Sequence, residues 1–112
     1  MTTQFLLRTI SFILTPMTID ELNNIDQSDI LLVDIREPQE VLVEPVIPGA
    51  INIPMTKILE EVENGNLPMN KKIVTVCRTG SRCFVINSEL TARGYDTDML
   101  VGGMVAYNQT AE

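Results

Sequence analysis

The sequence predicts an α/β domain: a small parallel-sheet core with helices on both faces. Three observations carry this expectation. Ile30-Leu31-Leu32-Val33 and Ile73-Val74-Thr75-Val76 are short, mostly apolar runs, as expected of strands covered on both faces. Helical segments separate the runs, the pattern of a parallel sheet with crossovers. The chain has 112 residues, the length of one ordinary domain. At that length folding buries roughly two-thirds of the unfolded chain's surface, so a core forms without staples.

Each element follows in order. Residues 1 to 16 form an N-terminal extension, read as an edge strand or a tail, and residues 17 to 112 form the single domain. The extension holds Phe5-Leu6-Leu7 and an apolar run from Ile10 to Leu14. Arg8 interrupts it, no basic segment precedes it and no small-residue cleavage site follows. It falls far short of the ~20 residues that span a bilayer.

Thr18-Ile19-Asp20-Glu21 has capping-box spacing and predicts a helix over Ile19 to Asn24. Ile30 to Val33 is the first strand, ending at Asp34. Residues Arg36 to Glu44 read as irregular. Pro45, Pro48, Gly49 and Pro54 mark a loop around Ala50-Ile51-Asn52-Ile53. Met55 to Glu63 reads as a helix stopped by Asn64-Gly65. Ile73 to Val76 is the second buried strand, followed by a loop and a helix from Ser81 to Arg93. Met99-Leu100-Val101 suggests a further strand, and Gly102-Gly103 turns into a short C-terminal helix.

Composition narrows the chemistry. Eight Lys and Arg face fifteen Asp and Glu, a net charge of −7 that counts against nucleic acid or an anionic membrane surface as partner. With no histidine, Cys-His and Ser-His hydrolases and His-bearing zinc sites are excluded. Two cysteines cannot close a structural zinc site or make a disulfide framework of the secreted type, and nothing in the chain needs a metal or a disulfide to fold. A reducing cytoplasm is the simplest compartment for such a chain.

The charge is unevenly placed. Two of the eight cations, Arg78 and Arg82, lie in the segment Cys77-Arg78-Thr79-Gly80-Ser81-Arg82. Active crevices in parallel sheets lie beyond the carboxyl ends of strands, and Cys77 follows one strand directly. The segment then closes at a helix N-terminus, where free N–H groups and the helix dipole favour an anion. Gly80 permits the positive φ that turns successive N–H groups inward. A cysteine there should ionise below its ordinary ~8.5. Such a cup suits a nucleophile with an anionic adduct, either a persulfide or a phosphocysteine. Four residues between Cys77 and Arg82 make a ring better matched to one sulfur than to a phosphate.

With these residues in view, the chain resembles the rhodanese-like domains. The six-residue loop Cys77 to Arg82 matches the cysteine loop of that family. Asp34-Ile35-Arg36-Glu37 with Glu40 resembles its first signature, and Ile47 to Pro54 its second. Leu90 to Gly94, then Leu100-Val101-Gly102-Gly103, resemble the closing segment. The resemblance covers roughly residues 17 to 109. It departs in two places: Val46-Ile47 stands where a histidine is common, and Tyr107 where tryptophan is common.

The resemblance implies a sulfurtransferase without cofactor or metal. Cys77 would take sulfane sulfur from thiosulfate or a similar small anionic donor, releasing sulfite. A thiol or a protein acceptor would then receive it. Arg78, Thr79, Gly80, Ser81 and Arg82 would bind substrate, with Arg78 contacting the anion. Arg82 is read mainly as holding the loop by pairing with Asp34 or Glu40. Asp34 reads either as a cap of the loop after its strand or as bonding to the active loop or to Arg36. Arg36 reads equally as a solvated surface charge or as standing behind the loop, where Glu40 is also placed. Cys83, on a helical line with Ile86 and Leu90, reads as a packing residue, with a resolving thiol as the sharper alternative. A sulfur-carrier or regulatory module loaded by a partner protein is the second functional reading. A phosphatase-like or arsenate-reductase-like enzyme is the third. The sequence sets no oligomeric state.

Overall fold

The computed structural model describes residues 16–110. Its centre is a four-stranded, all-parallel sheet in the order β2-β1-β3-β4. The strands are β1 (Ile30–Asp34), β2 (Ile51–Asn52), β3 (Lys72–Val76) and β4 (Thr97–Met99). From β1 the chain moves to one neighbour, β2, and then crosses to the other side for β3. The connections leaving β1 and β3 therefore part, and parting connections open a crevice at the strands' carboxyl ends. Asp34 pairs with Val76 at that rim.

Side-chain alternation along β1 and β3 feeds two cores. Val33, Ile35 and Ile73 pack with Ile58 of α3 (Ile58–Glu63) and with Cys83, Ile86 and Leu90 of α4 (Ser81–Ala92). Ile30, Leu32, Val74 and Val76 pack with Leu22 of α1 (Ile19–Asn24) and Met104 of α5 (Gly103–Thr110). Helices thus cover both faces, as the sequence predicts. Truncating one of these fully buried residues, such as Leu90, to alanine typically costs about 2–5 kcal/mol.

Local chemistry explains most boundaries. Thr18 and Glu21 form the capping box of α1 reciprocally, the Glu21 amide donating to Thr18 Oγ1 at 3.1 Å. Met17 lies beside β4, bridging to Leu100, with its amide 2.8 Å from the Met99 carbonyl. The N-terminal extension and its apolar run lie outside the described residues, apart from Pro16.

Four expectations need correction. Residues Arg36 to Glu44 are not irregular: Pro38–Val43 form α2. Pro38 occupies an N-terminal position that suits proline, yet the helix buries none of its residues, so it shows no apolar stripe. The helix expected from Met55 starts only at Ile58. The amides of Ile53 and Met55 instead bond to the carbonyls of Asp34 and Ile35 at 3.0 and 2.9 Å, extending the run beside β1. The loop around Ala50 contains the two-residue strand β2. Finally, β4 begins two residues earlier than Met99, because Thr97 and Asp98 supply ladder bonds without apolar side chains.

Candidate active site

The site begins with the turn from β3 into α4. Gly80 caps α4 with φ +115° and ψ −16°, a conformation that disfavours side chains. A β-carbon there would also lie 2.9 Å from the terminal methyl of Met99. This backbone aims the Gly80 amide at the Cys77 sulfur, where it donates at 3.0 Å. The amides of Arg82 and Cys83 in the first turn of α4 also donate toward that sulfur. The loop is a nest of N–H groups around one sulfur atom.

The opposite side of the loop is fixed from α5. The Met104 amide donates to the Cys77 carbonyl at 2.8 Å, and the Val105 amide to the Arg78 carbonyl at 3.1 Å. First-turn amides of a helix have no partner within it, so the loop carbonyls satisfy them. Holding those carbonyls outward leaves the N–H edge facing in. Gly103 makes the approach possible: at φ +59°, a β-carbon would overlap both carbonyl oxygens. The sequence shows Gly102-Gly103 only as a turn, and the docking depends on contacts some 25 residues away along the chain.

The two cysteines ionise in opposite senses. Donation of the Cys83 S–H, opposed by burial and aided by the amides of Cys83, Gly80 and Arg82, brings Cys77 down to about 5. The same hydrogen bond, together with burial, drives Cys83 upward. Cys77 therefore holds the negative charge and Cys83 keeps the proton. Both are free thiols. Cys77 is only 1% exposed, beneath a rim formed by the exposed Arg78, Thr79 and Ser81.

Behind the loop stand two carboxylate–arginine groups. Arg82 makes a two-pronged pair with Glu40 of α2, at 2.7 and 3.0 Å. Glu40 is held at about 2, first by Arg82 and then by the Glu37 amide that donates to it at 2.9 Å. Of the two partners expected for Arg82, the structure places Glu40 there. Asp34 instead binds Arg36, accepting from its amide at 3.1 Å and from its guanidinium at 2.8 to 3.2 Å. Arg36 is fully buried and also donates to the Pro45 carbonyl at 2.9 Å and to Glu44 at 3.2 Å. Its pKa is raised, mainly by Asp34 and against the effect of burial. Asn52 closes this corner by donating to the carbonyls of Asp34 and Arg36 at 2.8 and 2.9 Å.

The structure thus brings Cys77 through Arg82 together with Glu40, and sets Asp34 and Arg36 as a buried clamp one layer behind. Sequence reasoning missed Glu44, which faces both Arg36 and Arg78. Its signal was the four-residue spacing from Glu40, which places both carboxylates on one side of a helix. Also missed was a buried polar tie: Thr75 donates to Asn87 at 2.9 Å, and Asn87 donates to the Asp98 carbonyl at 2.9 Å, fixing α4 to the sheet. Among the described residues no group of three or more acidic or cysteine side chains is placed to hold a metal ion. None of their helices is long and apolar enough to cross a membrane.

Known proteins share both the sequence and the fold. The chain is 35% identical over 83 residues to a sulfurtransferase of Allochromatium vinosum, covering 73% of this chain and 75% of that protein. It is 37% identical over 79 residues to YtwF of Bacillus subtilis, covering 70% and 74% of the two. A rhodanese-related protein from Thermoplasma volcanium superposes with a TM-score of 0.74 at 23% identity, covering 85% of this chain and 91% of that one, a likeness of fold. The rhodanese-like domain model matches residues 18–110, nearly the whole described chain. The chain belongs to the rhodanese-like domain family.

Proposed function

We propose that this protein is a sulfurtransferase that carries sulfane sulfur on Cys77, taking it from thiosulfate or a similar small anion and giving it to a thiophilic acceptor. The observation that carries the reading is the ring of amide N–H groups around a cysteine sulfur whose pKa falls to about 5. At neutral pH such a cysteine is a thiolate and therefore a nucleophile. The named activity of the Allochromatium vinosum relative agrees with a sulfur-transfer role.

The mechanism follows from the loop. The Cys77 thiolate attacks the outer sulfur of the donor. A new S–S bond forms as the donor's own S–S bond breaks, and sulfite leaves with the bonding pair. The persulfide anion then occupies the N–H nest, whose donors stabilise it with little reorganisation. An acceptor thiolate, or cyanide in vitro, attacks the outer sulfur and Cys77 departs as thiolate. Arg78 on the rim draws the anionic donor in. Thr79 and Ser81 line the mouth with Arg78, Gly80 shapes the nest, and Arg82 holds the loop through Glu40. Asp34 and Arg36 keep the β1 side of the crevice in place. A sulfur buried under a rim favours a slender terminal sulfur over a bulky phosphate ester. This agrees with the six-residue loop and counts against a phosphatase.

The chemistry needs a reduced thiol, which suits a cytoplasmic setting. Steady-state kinetics test the proposal. Thiosulfate and cyanide should give parallel double-reciprocal lines, the ping-pong pattern, with sulfite released before acceptor binds. Persulfide loading from a partner protein with no turnover of thiosulfate would instead favour the carrier reading.

A further inference from the structure

The two loop arginines are held differently, and the difference points to a residue with a task of its own. Glu40 and Glu44 project from one side and the end of α2 toward the loop. Glu40 grips Arg82 by two short hydrogen bonds. Glu44 is anchored elsewhere: one oxygen lies 3.2 Å from the buried Arg36, while the other lies 4.0 Å from Arg78. The Arg78 side chain is 63% exposed at the mouth of the cup. Glu44 is therefore tethered to Arg36, and an Arg78 that swings toward an incoming anion leaves it behind.

We infer that Glu44 is a specificity-determining residue: a fixed carboxylate that partly neutralises Arg78 and so lowers the preference of the site for anionic over neutral sulfur donors and electrophiles. A long, exposed pair contributes little binding and is readily displaced. It thus sets how strongly the arginine draws an anion without blocking the cup. Burial of Arg36 keeps the carboxylate in place whether or not Arg78 is engaged. In water-accessible surroundings the effect is modest and screened by salt.

This inference rests on Cys77 as the attacking atom, but its test does not require sulfur transfer. The rates at which iodoacetate and iodoacetamide alkylate Cys77 in the full chain, followed by intact mass at low ionic strength and pH 7, report anion preference directly. Glu44→Gln keeps an acceptor for Arg36 and removes the charge; Glu44→Ala is the second neutral variant. Both should raise the iodoacetate-to-iodoacetamide rate ratio by about two- to fivefold. High salt should erase the gain, and an Arg78→Gln background should abolish it. An unchanged ratio in the neutral variants would overturn the inference, as would an equal gain without Arg78. A wild type that forms no persulfide from thiosulfate would defeat the proposed function while leaving this ratio readable.

Discussion

Cys77 and Cys83 are both buried and both free, one at the start of the loop and the other in the first turn of α4. They share a hydrogen bond and one hydrophobic core cluster, and differ in the backbone donors that reach each sulfur. Backbone amides converge on Cys77, whereas Cys83 sits among Ile86, Leu90 and the core strands. Burial disfavours the thiolate at both positions. Only at Cys77 do donors outweigh that penalty. The comparison teaches that the hydrogen bond donated by Cys83 and the converging backbone amides together single out Cys77 as the thiol that ionises, while Cys83 keeps its proton.

The sharpest way to break the comparison is to exchange the roles. Cys77→Ser should abolish rapid alkylation and sulfur loading, a loss of several orders of magnitude, with Cys83 unable to substitute. Peptide mapping after iodoacetamide at pH 7 checks which thiol is modified. Next in size is Gly103→Ala. The added methyl collides with the carbonyls of Cys77 and Arg78, so the N–H nest should distort while Cys83 stays in its core. Alkylation of Cys77 should fall more than tenfold, with about 1–3 kcal/mol of stability lost in urea melts.

The pH profile reads the comparison directly. Alkylation proceeds through the thiolate, so the rate should be low below pH 5, rise through a midpoint near 5 and level off above it. Cys83→Ala removes the largest contribution to that lowering, and the midpoint should move up toward the ordinary ~8.5. At pH 6 the variant should therefore react at least about tenfold more slowly than wild type, with little difference above pH 9. A profile that Cys83→Ala leaves unmoved would mean that the amides alone set the charge. The smallest effect belongs to Glu40→Gln. Its bidentate partner Arg82 is partly exposed, so stability should drop by only about 1 kcal/mol in a thermal melt. Glu40 is held near 2 against an ordinary 4.5, so its contribution is full above pH 4.5 and fades as pH falls toward 2.

Much of this arrangement could be read from the chain, and the remainder fails for physical reasons. Strands β1 and β3 were legible because both faces are covered, so apolar residues run together without alternation. Cys77 was legible because the glycine and the helix start beside it are local features. Helix α2 was not: it buries no residue, and its hold on the molecule runs through Glu40 to Arg82, distant in sequence, and through its cap Glu44 to the neighbouring Arg36 and the distant Arg78. The sequence left Arg82 with two partners, Asp34 and Glu40. Only the fold could decide, because Asp34 is consumed by the buried Arg36 two residues away. Gly103 looked like a turn residue, since its contact with the cysteine loop exists only after α5 docks across the sheet.

Intact mass spectrometry after incubation with thiosulfate, with wild type and Cys77→Ser side by side, tests the central claim most directly. The account predicts a gain of about one sulfur atom in the wild type, removed by cyanide and absent from the variant. A folded wild-type protein that gains no mass, or a Cys77→Ser variant that gains it equally, would contradict the account.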